Sequence, residues 1–302
     1  MPLKYIGTNF LLNSFFRSEI QNSGPEGSRD IINKCIFVFQ NLKDFMSKKR
    51  PLILVTNDDG INAPGIRTLI EVMNSLGDVM VVAPDSPQSG MGHAITINDT
   101  LYCNSIKVTD DPHKEYSCSG TPVDCVKIAV NEILKRKPDL CVSGINHGSN
   151  SSINVIYSGT MSAAVEAGTL GIPSIGFSLL DYSMEADFGP SKKFVKAIAQ
   201  QTLKNGLPKG VVLNVNIPKL NASEIKGIKV CRQANAHWEE KFDKRTNPLG
   251  RDYYWLTGEF VNEDKGEDTD EWALHNGFVS VVPVQFDLTA HHAMKELNTW
   301  DF

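Results

Sequence analysis

From residue 51 onward, short apolar runs alternate with stretches whose apolar residues recur at helical spacing, and this alternation constrains the fold more than any other feature. "PLILVT" (51 to 56) and "DVMVVAP" (78 to 84) read as buried strands. Between them Ile66, Leu69, Ile70, Met73 and Leu76 fall on one helical face, with Pro64 near its start and Gly77 just past its end. Two such runs joined by a helix make a βαβ unit, which requires parallel strands.

The pattern repeats. In "GTPVDCVKIAVNEILKRKP" Thr121 fits an N-cap, Pro122 the first helical position, and Val123, Val126, Val130 and Ile133 an apolar stripe. "DLCVSGIN" returns as a strand, "YSGTMSAAVEAGTLGIP" as a helix rich in small residues, "SIGFSL" as a strand, Ser191 to Lys204 as a helix, and "VVLNVNIP" as a strand. The expected class is α/β, a doubly wound, mostly parallel sheet. After Lys219 the texture turns to Trp, Tyr and charge, so 220–302 reads as a smaller, β-hairpin-rich C-terminal part closing with a strand and a short helix.

Residues 1–50 differ in kind. Their apolar patch is broken by Asn13 and Ser14 and lacks a small-residue cleavage site. The run "MSKKRPLILVT" leads from Met46 straight into the first strand, so 1–50 is expected to be an extension, disordered or untranslated, with Met46 the natural start. The competing expectation is a helix over Ile31 to Phe45.

Charge limits the partners. The formal balance is −5 overall, but 1–50 hold 8 Lys/Arg against 4 Asp/Glu, leaving 22 against 31 for the remainder. A body at −9 disfavours long nucleic acids, whose binding neutralises many phosphates. No apolar run approaches the roughly 20 residues that cross a bilayer. The six cysteines form no C-x-x-C and have no histidines at zinc spacing, so reduced, mostly buried thiols in a cytoplasmic protein are expected.

In open α/β sheets ligands bind beyond the carboxyl ends of the strands. Three loops fall there: "NDDG" after the first strand, "PDSPQSG" after the second, and "SGINHG" after the strand at 139 to 143. They gather Asp58, Asp59, Ser89 and Asn146, hard oxygen donors suited to Mg²⁺, Mn²⁺ or Ca²⁺. Adjacent carboxylates are tolerable where a cation offsets their repulsion or water screens it. Two "SGT" helix starts, at 119 to 121 and 158 to 160, are expected at the same edge, where N–H groups and the hydroxyls of Ser158 and Thr160 favour a phosphate. A cation beside an anion cradle suggests metal-assisted phosphoester hydrolysis, the ion polarising a phosphoryl oxygen and activating a water. No P-loop motif occurs. His93 and His147 could each donate a proton to the leaving group or serve as hydrogen-bonded loop histidines; His291 and His292 read as structural.

"ILVTNDDGINAPGI", "VVAPDSPQSGMGHAIT", "SGTPVDCV", "PDLCVSGINHGSN" and "VIYSGTMSAAVEAGTLGIPSI", in this order, closely resemble the SurE family of metal-dependent phosphatases, and the resemblance runs from Leu52 to Trp300. It implies one divalent cation per subunit, Mg²⁺ or Mn²⁺ with Ca²⁺ able to occupy the site, held by Asp58, Asp59, Ser89 and Asn146. It also implies phosphate contact by Ser158, Gly159 and Thr160, with one of the two aspartates taking a proton from the attacking water. The implied fold is a Rossmann-like core over about 51–219 with an oligomerisation part over about 220–302, assembling as a homodimer or homotetramer. The implied activity is hydrolysis of nucleoside monophosphates, 5′ and in some members 3′. The alternatives are an exopolyphosphatase and a non-catalytic nucleotide-binding stress protein. His147, where the family often has a small residue, and Met91 after "QSG" are departures that touch the pocket wall.

Overall fold

Successive side chains of the first strand, β1 (Leu52–Thr56), point to opposite faces of a sheet, and each face finds its own helices. Ile53 and Val55 join the core that includes Ile66, Leu69, Phe194 and Val195, whereas Leu54 joins Cys125, Val126, Ala163 and Ala167. Helices therefore cover both faces, as a fully apolar parallel strand requires. In this computed structural model the described residues are 50–108, 113–183 and 185–302. The expectations for Met46 and for a helix over 31–45 lie outside the described residues.

The order along the chain is β1, α1 (Pro64–Asn74), β2 (Asp78–Pro84), β3 (Cys103–Ile106), β4 (Lys114–Cys118), α2 (Pro122–Ile128), β5 (Leu140–His147), α3 (Gly159–Thr169), β6 (Ser174–Leu179), α4 (Lys192–Asn205) and β7 (Val211–Ile217). Then follow β8 (Gly227–Val230), β9 (Ala236–Thr246), β10 (Asp252–Asn262), α5 (Asp270–His275), β11 (Phe278–Gln285) and α6 (His291–Leu297). Nine strands form one sheet in the order β3-β4-β2-β1-β5-β6-β7-β11-β8. Its pairings are parallel except β3 with β4 and β7 with β11. From β1 the chain winds one way through β2 and β4, then the other way through β5, β6 and β7. The junction between β1 and β5 is thus a topological switch point, where ligand crevices form.

Several details depart from the sequence reading. The helix after Thr121 keeps α geometry only to Ile128 and continues as a wider π turn over Ala129–Ile133. The short strands β3 and β4 carry no buried apolar run and have no counterpart in it. β8 and β11 of the C-terminal part extend the main sheet, and only β9 and β10 form a separate two-stranded ribbon, paired from Ala236 with Asn262 to Thr246 with Asp252.

One close approach sets the site. A Cβ on Gly65, in the first turn of α1, would lie 1.9 Å from the Ile145 carbonyl oxygen, so only glycine lets α1 sit directly on β5.

Candidate metal and phosphate site

The loop leaving β1 is turned by Asn57, whose Nδ2 donates to the Gly60 carbonyl at 2.9 Å, with Gly60 at φ 96°. Asp58 is thereby directed inward and is only 3% exposed. Its backbone carbonyl accepts from Gln88 N–H at 2.7 Å, which ties the loop carrying Ser89 to the same place. The Gly92 N–H donates in turn to the Tyr157 carbonyl at 3.2 Å, fastening that loop to the start of α3.

Helix α3 is capped by Ser158, whose hydroxyl accepts from Met161 N–H at 3.0 Å. The next residue must be small, because a Cβ on Gly159 would lie 2.8 Å from Asp58 Cβ and 2.9 Å from Asp58 Oδ2. Thr160 then donates its hydroxyl to Asp58 Oδ1 at 2.5 Å. Burial pushes the Asp58 carboxyl up to about 6, with the Thr160 hydroxyl pulling it down and the neighbouring Asp59 charge pushing it up again. The first turn of α3 thus already faces a protein carboxylate.

At the end of β5, Asn146 Nδ2 donates to the carbonyls of His147 and Gly148, both at 3.0 Å, which leaves Oδ1 as the amide's acceptor end. His147 gives its backbone N–H to Asp59 Oδ2 at 3.2 Å and holds Nδ1 3.3 Å from the same oxygen. Its ring meets Phe188 edge-on at 4.9 Å, and its Nε2 is buried without a hydrogen-bond partner. The following loop is fixed by four short polar side chains. Asn150 N–H donates to Asn216 Oδ1 and Asn150 Nδ2 to Ser178 Oγ, each at 2.8 Å; Asn214 Nδ2 donates to the Asn150 carbonyl at 2.8 Å, and Asn216 Nδ2 to Asn214 Oδ1 at 2.9 Å.

These loops enclose a cavity of about 250 Å³ whose walls include Asp58, Ser89, Asn146, His147, Ser158 and Tyr157. Asp59 is not among its lining residues and reaches it through His147. Gly159 and Thr160 lie behind Asp58 rather than on the wall. His93 does not line the cavity either: its Nε2 is 3.0 Å from Glu166 Oε2, and Glu166 also receives Lys127 Nζ at 2.6 Å. The "SGT" at 119 to 121 does not join the cavity, a correction to the expectation of two helix starts at one edge. Asp124 occupies that helix start itself, accepting from Thr121 N–H at 2.9 Å in a reciprocal capping box. His291 sits on exposed α6, its Nε2 2.9 Å from Asp287 Oδ2. Tyr157, Trp238 and Asn150 escaped the sequence reading, since nothing in their spacing points to a common wall.

The donor set fits a hard divalent cation. A carboxylate, a hydroxyl and an amide oxygen, from Asp58, Ser89 and Asn146, meet at the switch point with Asp59 next to Asp58 in the chain, and among the described residues no cationic side chain pairs with the buried Asp58.

The family model described as Survival protein SurE matches residues 53–240. A protein of Christiangramia forsetii named 5′-nucleotidase SurE is 78% identical over 256 residues, spanning 84% of this chain and 98% of that protein. One of the same name from Bacteroides fragilis is 49% identical over 257 residues, 85% of this chain and all of its own length. The crystal structure of the SurE protein from Aquifex aeolicus superposes with a TM-score of 0.72 at 42% identity, covering 82% of this chain and 98% of that one. Strand order, switch-point site and these matches agree, and the chain belongs to the SurE family.

Proposed function

We propose that the protein is a divalent-metal-dependent phosphatase that hydrolyses nucleoside monophosphates to nucleoside and phosphate. The observation that carries this reading is the meeting of Asp58, Ser89, Asn146 and Ser158 on one cavity beyond the carboxyl ends of β1, β2 and β5. The name 5′-nucleotidase SurE, borne by relatives up to 78% identical, points to the same chemistry.

In this reading Asp58, Asp59, Ser89 and Asn146 hold one Mg²⁺ or Mn²⁺ per subunit. When bound, the cation supplies Lewis acidity to a phosphoryl oxygen and makes a water easier to deprotonate. The chain's own groups do the rest. Ser158, the one residue of Ser158, Gly159 and Thr160 that lines the cavity, receives the phosphate at the positive end of α3. Asp58 or Asp59 takes the proton of the attacking water as its oxygen bonds to phosphorus. The ester P–O bond breaks, and the nucleoside oxygen leaves with a proton. Of the two histidines, His147 lines the cavity and His93 does not, which supports His147 as the donor of the leaving oxygen's proton.

The reading extends to the assembly and its setting. Phe242, Tyr253, Tyr254 and Trp255 are exposed on β9 and β10, more apolar surface than scattered single residues present. This supports the 220–302 part as the contact surface of a homodimer or homotetramer. Among the described residues five cysteines are free and four of them are buried, which supports a reducing, cytoplasmic setting. Among the described residues no helix is long and apolar enough to cross a membrane.

The test is a screen of 5′- and 3′-nucleoside monophosphates, triphosphate, longer polyphosphates and p-nitrophenyl phosphate with Mg²⁺, Mn²⁺, Ca²⁺ and EDTA. Nucleoside monophosphates are expected to give the highest kcat/KM, and EDTA to abolish turnover. Preference for polyphosphate, or no hydrolysis of any ester with any metal, would overturn the reading.

A further inference from the structure

A second cavity, of about 460 Å³, adjoins the first and is lined by Tyr157, Trp238, Glu240, Leu256, Thr257 and Gly258. Tyr157 and Trp238 line both cavities. Tyr157 immediately precedes Ser158, the N-cap of α3, so one of the shared rings stands a single residue from the expected phosphate contact. The other ring comes from the ribbon: Trp238 is the third residue of β9.

Neither ring is packed away. Tyr157 is 52% exposed and Trp238 42% exposed. Yet Trp238 is held in place, since its Nε1 donates to Asn154 Oδ1 at 2.8 Å and its ring meets Phe260 edge-on at 5.5 Å. A half-exposed aromatic that is anchored by its polar edge presents a ring face without losing much freedom when a ligand arrives. The rest of the wall is apolar or neutral apart from Glu240. That carboxylate opposes any further phosphate in this cavity and accepts hydrogen bonds from N–H groups, which selects a neutral, donor-bearing aromatic ligand over a polyphosphate chain.

We infer that this second cavity is the nucleobase subsite, with the base held against Tyr157 and Trp238 while its phosphate lies in the first cavity. The assignment rests on the phosphatase reading above. It makes Trp238 a specificity-determining residue: stacking on an aromatic face tolerates every base and favours substrates with a base over those without. Glu240 is the one charged group in the wall that a base edge can meet.

The experiment compares adenosine 5′-monophosphate with ribose 5-phosphate, which keeps the phosphate and sugar and lacks the base. Wild-type protein is expected to favour the nucleotide in kcat/KM, and Trp238→Ala to reduce that ratio about 5- to 150-fold. The loss is expected mainly in KM, and Trp238→Phe, which keeps a ring and drops Nε1–H, is expected to recover most of it. As a second measurement, adenosine is expected to inhibit ribose 5-phosphate hydrolysis competitively in wild type and more weakly in Leu256→Ala. An unchanged ratio in Trp238→Ala, including one accompanied by a changed assembly mass, would overturn the subsite, as would a wild-type ratio near one. Wild-type protein that hydrolyses neither substrate would instead overturn the phosphatase reading.

Discussion

Thr160 donates its hydroxyl to Asp58 Oδ1 at 2.5 Å, joining the start of α3 to a loop 102 residues earlier in the chain. The contact orients a carboxylate that would otherwise be free to rotate. Thr160→Val keeps the shape and removes the donor. It is expected to weaken Mn²⁺ binding about 10- to 100-fold, the usual cost of losing a group that orients a metal ligand, while Thr160→Ser retains most of it. Calorimetric titration with Mn²⁺ checks this; equal affinity in Thr160→Val would show that the contact does not orient the ligand.

Gly159 makes a second claim on Asp58. A Cβ there would stand 2.8 Å from Asp58 Cβ and 2.9 Å from Oδ2, and both atoms are buried, so the carboxylate has to move. Gly159→Ala is expected to cost about 1–3 kcal/mol of stability through overpacking and to lower kcat/KM far more than that loss explains. Urea unfolding and steady-state kinetics on the same preparation separate the two effects.

Asp59→Asn is expected to lower metal-dependent phosphatase activity by more than ~100-fold, beyond the range for residues that merely support a ligand. The fold is expected to survive, because Asp59 contacts His147 and carries no core packing. Thermal unfolding supplies the readout apart from turnover. At a Mn²⁺ concentration 100 times its Kd, wild-type protein gains about 2.7 kcal/mol over its EDTA-treated form. A variant with the same Mn²⁺-dependent shift in Tm would remove Asp59 from the ligand set.

Asp124 gives the pH-dependent case. Burial alone would push its carboxyl up, but the donors of Thr96 and Thr121 outweigh burial and hold it below the ordinary range. A depressed folded pKa contributes stability above the unfolded value, near 3.9, and that contribution is lost as pH falls through the folded value. Asp124→Asn is therefore expected to lower Tm at pH 7, and the gap from wild type to close as pH drops below about 4. A gap that widens on acidification would contradict the assignment.

The parallel core was legible because buried strands and amphipathic helices announce themselves through periods of 2 and 3.6. Asp58, Ser89 and Asn146 were legible for a related reason: in such sheets the loops after the strands converge, so polar residues placed there must meet. β3 and β4 were not, since neither the edge strand β3 nor its neighbour β4 carries a buried apolar run; Cys103–Ile106 has none of its residues buried. The fate of the first "SGT" was hidden in an ordinary-looking Asp124, three residues into its helix, which fills the helix start from within. Asn150, Asn214, Asn216 and Ser178 left no trace because hydrogen bonds between short polar side chains carry no period. The cavity wall shared by Tyr157 and Trp238 joins residues 81 positions apart, and no local rule links them.

The position of the site at the seam between β1 and β5 also bears on how the chain comes to be active. β5 lies beside β1 yet is reached only after β2, β3 and β4 have been laid down on the other side. Loop-closure entropy makes such long-range strand insertion slow. A chain that has built only its first βαβ unit owns the two aspartates and the serine but lacks the asparagine. With the proposed ligand set, affinity for the cation is therefore expected only of the completed topology, and a metal-dependent signal during refolding would mark the moment β5 finds its neighbour.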